Sequence, residues 1–110
     1  MMRLVIAMVQ DQDVNRLLGV LTEHGYYATK LASTGGFLRL GNTTLLIGID
    51  EDKVREVVDL IKETCHSRKQ LMTPLASVGR SMNNYIPEPV EVSVGGATIF
   101  VVEVQEFVKV

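Results

Sequence analysis

Residues 4 to 9, Leu-Val-Ile-Ala-Met-Val, are apolar without interruption, a run whose length and β-branched content predict a strand buried on both faces. The period then changes. Val14, Leu17, Leu18 and Leu21 fall at i, i+3, i+4 and i+7, predicting an amphipathic helix with Asp11 or Asp13 as its cap and Gly25 as its stop. A second strand is predicted from about Tyr26 to Ser33, followed by a stretch rich in glycine. The order then repeats, with a strand from Thr43 to Ile49, Asp50 as cap, and a helix carrying Val54, Val57, Val58 and Ile61 on one face and Lys62 towards its C-terminal end. Val90, Val92 and Val94 alternate, Gly95-Gly96 offers a turn, and Ile99, Phe100 and Val101 return, which is a hairpin signal. Between the second helix and this hairpin the pattern predicts a long loop, roughly Ser67 to Pro89.

Two successive strand-helix-strand units predict an α+β fold of the ferredoxin-like, split βαβ kind. Both helices pack on one face of an antiparallel sheet, with an extra β-hairpin and a long loop before the last strand. The first strand is nevertheless apolar at both parities: Leu4, Ile6 and Met8 point one way, Val5, Ala7 and Val9 the other. Two helices cover a single face, so a further copy of the chain is expected on the other.

Composition narrows the possibilities. The 110 residues suffice for one domain, 1–110, and for no second module. A net charge of −2 gives no long-range attraction for nucleic acid or an anionic membrane. The single Cys65 has no disulfide partner within the chain, no charged-then-apolar leader precedes Leu4, and no apolar run approaches the roughly 18 residues of a membrane span. The expectation is an intracellular, cytoplasmic protein without a membrane span.

Catalytic chemistry finds little support. His24 and His66 each end a predicted helix without a nucleophile or carboxylate beside them in sequence, and the helix dipole accounts for both. Cys65 reads as a small buried apolar residue. Asp11, Asp13, Asp50, Glu51 and Asp52 cluster at helix starts, where capping explains them without a metal. The stretch from Gly35 to Thr44 is different in kind. Gly35-Gly36 lets backbone approach a ligand and exposes N–H groups, Phe37 and Leu38 are apolar, and Asn42, Thr43 and Thr44 supply donors and acceptors. These are parts suited to a nucleotide, and equally to a plain strand connection in which the glycines meet φ requirements.

The segments "VQDQD" at 9 to 13, "ATKLASTGGFL" at 28 to 38, "GNTTLLIG" at 41 to 48 and "YIPEPVEVSVGGATIFV" at 85 to 101 together closely resemble the PII-like cyclic di-AMP receptor family, over almost the whole chain. The resemblance implies a homotrimer of ferredoxin-like subunits whose sheets face the threefold axis. It implies one cyclic di-AMP in each cleft between subunits and no enzymatic activity or cofactor. It further implies a signal passed to a protein partner, here unknown. Carried onto this chain, the pocket gathers Thr29, Gly36, Phe37, Leu38, Asn42, Gly48 and Phe100. Gly36 would admit an adenine edge to main-chain groups, Phe37 and Leu38 would bed it, Asn42 would bond a base edge, and Thr29 would hold phosphate oxygens. Ordinary PII proteins carry a Gly-Asp-Gly-Lys-type phosphate loop. Here Gly95-Gly96-Ala97-Thr98 lacks the lysine, which disfavours ATP binding of that kind.

Three positions depart from the family pattern. Tyr27 stands two before Thr29, where characterised receptors commonly carry an arginine. The chain ends Phe107-Val108-Lys109-Val110 where receptors typically end His-Gln-Phe, leaving Lys109 as the substitute donor. The loop "GRSMNNYIPEP" carries Arg80 where receptors usually show a second glycine. Loss of one charge-assisted hydrogen bond is worth about 1.5–3 kcal/mol, on the order of 10- to 100-fold, so weaker cyclic di-AMP binding is expected. Local cations for the two phosphates are Lys30, Arg39 and Lys109. A sensor of another adenine nucleotide, or a trimeric interaction protein with a degenerate pocket, is the competing reading.

Overall fold

The computed structural model describes residues 1–31, 41–72 and 89–110. Within them run β1 (Met2–Gln10), α1 (Asp11–Glu23), β2 (Thr29–Leu31), β3 (Asn42–Asp50), a 3-10 turn (Glu51–Lys53), α2 (Val54–Cys65), β4 (Arg68–Met72), β5 (Val90–Val94) and β6 (Ala97–Glu103). The main sheet has the order β2-β3-β1-β6, antiparallel throughout, and both helices pack on one face. This is the ferredoxin-like arrangement expected from the repeated strand-helix-strand pattern.

Strand parity decides which face is buried. Val5, Ala7, Val9, Leu45, Ile47 and Ile49 join Val14, Leu17 and Leu21 of α1 and Val57 and Ile61 of α2 in one buried cluster. The alternate residues form the opposite face. Register aligns Thr29 with Leu46, Leu46 with Ile6, and Ile6 with Phe100, while Gly48, Leu4 and Val102 make the next row. Phe100 and Val102 remain 50% and 41% exposed, and Leu4, Ile6 and Leu46 are half-buried. Among the described residues nothing covers this face, so the sheet carries apolar side chains on both sides and helices on one.

Four local expectations are corrected. Gly95-Gly96 does not join β5 to β6 as a hairpin: β5 pairs with β4 and β6 pairs with β1. The extra hairpin before the last strand is therefore the β4–β5 ribbon, with Arg68 opposite Val94 and Met72 opposite Val90. Residues 68–72, read as loop, are strand for the same reason. The expected second strand starts at Thr29 rather than Tyr26, because Tyr26 turns into the core, its N–H bonded to the Leu21 carbonyl at 2.8 Å and its hydroxyl donating to Glu56; its last two expected residues, Ala32 and Ser33, lie outside the described residues. The expected aspartate caps are also absent. Gln10 occupies the N-cap position of α1 and no side chain bonds there, and Asp50, which ends β3, makes no capping bond either. Gly25, at φ 85°, does stop α1.

Candidate functional site

Four of the sequence-derived site residues stand on the open face. Thr29, Gly48 and Phe100 share it by register, and Asn42, two pairs beyond Thr44 on the parity of Gly48, stands at its end opposite Gln10. Thr29 and Phe100 lie in one cross-strand row but on β2 and β6, the two edge strands. Three strand spacings separate them, about 14 Å. Within one chain they do not meet. Lys30 takes the other parity, pairing with Leu45, and so leaves the face on which Thr29 stands.

Gly48 has no conformational need to be glycine. Its φ is not among the positive values, which belong to Gly25, Gly41, Gly95 and Gly96, and a Cβ built on it meets nothing within 4 Å. A bare mid-strand glycine facing open space marks a place where a ligand or another backbone comes close.

Asn42 lines a shallow concavity of about 270 Å³ with Met8, Gln10, Gly95, Gly96, Ala97 and Thr98. Its floor is the end of β1 and β3, and its wall is the glycine pair that carries the chain from β5 into β6. Gly95 and Gly96 adopt φ values of 83° and 90°, and a Cβ on Gly95 would stand 2.5 Å from the His66 carbonyl oxygen and collide with the Arg68 guanidinium. The Gly95 N–H donates to the Gln10 side-chain oxygen at 2.7 Å and the Gly96 N–H to the Cys65 carbonyl.

Beneath this wall lies a charged group that the sequence did not single out. Asp13 is fully buried; its carboxylate accepts from Arg68 Nη2 at 2.8 Å and from Arg16 Nη2 at 3.1 Å. Arg68 also donates to the His66 carbonyl at 3.0 Å, and its hydrogen bond to Asp13 holds the guanidinium pKa above its ordinary value. The sequence pattern places Asp13 among the helix-start carboxylates. Its spacing from Gln10 was visible, but its partner lies 55 residues away and no local pattern pairs them. Asp11 likewise works at long range, accepting from the Thr43 hydroxyl and donating its N–H to the Gly41 carbonyl at 2.6 Å.

Tyr27 is 75% exposed and Lys109 is exposed beyond the last strand; neither lines the concavity beside Asn42. Gly36, Phe37 and Leu38, with Arg39 and the "GRSMNNYIPEP" segment up to Glu88, lie outside the described residues. The histidines end their helices: each ring Nδ1 faces a carbonyl of the preceding turn, His24 at Val20 and His66 at Glu63. Cys65 is buried, and burial, followed by the Asp13 charge, pushes its thiol up to about 11. Among the described residues there is no group of three or more His, Cys, Asp and Glu side chains suited to a metal ion, and no helix long and apolar enough to cross a membrane.

A family model described as "Cyclic-di-AMP receptor" matches residues 2–110. Among solved structures, a functionally unknown protein from Pediococcus pentosaceus ATCC 25745 is similar with a TM-score of 0.77 and 43% identity, over 99% of this chain and 97% of that one. With a match that spans essentially the whole sequence and a ferredoxin-like subunit beneath it, the chain belongs to the cyclic-di-AMP receptor family.

Proposed function

We propose that the protein is a non-enzymatic, cytoplasmic signal-transduction receptor that binds cyclic di-AMP in the clefts between subunits of a homotrimer. Binding is relayed to a protein partner through rearrangement of the glycine-rich connection and the long loop. The observation that carries this reading is the open apolar face, which bears Thr29 at one edge, Phe100 at the other and the bare Gly48 between them. Residues about 14 Å apart in one chain serve one ligand when the β2 edge of one subunit meets the β6 edge of the next. Assembly would also remove the exposed apolar surface from water. In this pocket Asn42 holds a base edge, Thr29 the phosphate oxygens, and Gly36, Phe37 and Leu38 the adenine. Tyr27 and Lys109 take the positions of the missing arginine and glutamine.

Tyr27 and the altered C-terminal ending favour a second reading, a receptor for another adenine nucleotide, because a neutral aromatic side chain stands where receptors commonly carry an arginine facing the ligand. Calorimetric titration with cyclic di-AMP, cyclic di-GMP, ATP and AMP separates the two. Preference for cyclic di-AMP supports the first; preference for ATP or AMP replaces it with the second. Absence of heat with all four, together with a persistent trimer, leaves an interaction protein with a degenerate pocket.

A further inference from the structure

We propose that residues Gln10 to Asp13, at the junction of β1 and α1, are positioning residues that couple the C-terminal end of the glycine-rich stretch to the β4–β5 ribbon. In the motif "VQDQD" the side chains of Gln10, Asp11 and Asp13 make ties to other elements rather than capping α1. Asp11 holds the start of β3 through the Gly41 carbonyl and the Thr43 hydroxyl. Asp13 holds the first residue of β4 through Arg68. Gln10 holds the residue that follows β5 through the Gly95 N–H. Arg68 and Val94 are register partners, so the ribbon is gripped at the base of both its strands by groups within one helical turn of each other.

Opposite Gln10 in the sheet stands Asn42, next to Gly41. A contact that shifts Gly41 or Asn42 therefore acts on Asp11, and through the first turn of α1 on the two grips of the ribbon. The coupling needs no contact between ligand and ribbon. It deepens the proposed function, because it names the route by which an occupied cleft reaches the β4–β5 ribbon. Its test does not depend on the ligand.

The test is backbone amide exchange, followed by mass spectrometry, on the full-length protein without ligand. Thr43→Val removes the hydroxyl on Asp11 at nearly constant volume, and Asp11 is exposed, so water replaces the lost donor and the fold survives. Thr43→Ser keeps the hydroxyl. Coupling predicts that Thr43→Val speeds exchange by about fivefold or more, the lower end of ordinary coupling, at Gly95, Gly96 and the β4 and β5 amides as well as at its own strand. Thr43→Ser should match the parent. Faster exchange confined to residues near Thr43, with the ribbon unchanged, overturns the proposal. Adding cyclic di-AMP tests the link to function separately: failure to bind refutes the ligand reading alone, while the ligand-free comparison still decides the coupling.

Discussion

Two glycines define what single residues do here, and they do it for opposite reasons. Gly95 is required by its own chain, since its φ of 83° and the His66 carbonyl 2.5 Å from a built Cβ both exclude a side chain. Gly95→Ala should cost about 2 kcal/mol or more of stability, seen as a lowered urea midpoint. Gly48 is not required by its own chain, so Gly48→Ala should leave the urea midpoint of the subunit fold nearly unchanged. It should weaken cyclic di-AMP binding by roughly tenfold or more, as an added methyl overpacks the cleft. Cys65 supplies a pH test. Its thiol is raised in the folded protein from 9.0 to about 11, so the folded state holds this proton more tightly than the unfolded chain. The contribution is whole below about pH 9 and is lost as pH rises through about 11. Comparing chemical denaturation of the parent with Cys65→Val across that interval isolates it, and the parent alone should show the extra decline.

At the scale of elements, the sequence pattern carried the helices and the sheet well and the connections poorly. Val14, Leu17 and Leu21, and Val57 and Ile61, are buried as their periods require, and the even positions of β1 and β3 share the open face as strand parity requires. The pairing of β5 was illegible. Val90 to Val94, two glycines and the apolar start of β6 are what a hairpin would show, whereas the pairing of β5 with β4 and of β6 with β1 makes the glycines carry the chain between two sheets, held by the tie from Gln10 and packed against Arg68. Parity likewise made Thr29, Gly48 and Phe100 companions on one face, whereas nothing periodic fixes Tyr27 or Lys109, which lie outside the strands. The Asp13–Arg68 pair belongs to this scale because it fastens β4 to α1. Removing the guanidinium strands a buried carboxylate, with Arg16 compensating in part. Arg68→Ala should lower the denaturation midpoint, whereas Lys69→Ala, from an exposed pair on the same ribbon, should change it little.

The whole molecule is governed by a sheet with one face too many for its two helices. Leu4, Ile6, Leu46, Phe100 and Val102 form a surface that a second and third copy would bury, and Leu46→Glu places a charge at its middle. That variant should sediment as a monomer at micromolar concentration while the parent sediments as a trimer. The central claim is that one ligand is held by two chains, and subunit complementation tests it most directly. Thr29→Ala and Phe100→Ala proteins are each titrated with cyclic di-AMP, then the two chains are co-expressed and the mixed trimers titrated in the same way. If Thr29 of one subunit and Phe100 of its neighbour share a ligand, each variant alone binds weakly. The mixture then regains about a quarter of its sites at parent affinity, by random assortment around the ring. Mixed trimers that bind no better than either variant would contradict a shared site.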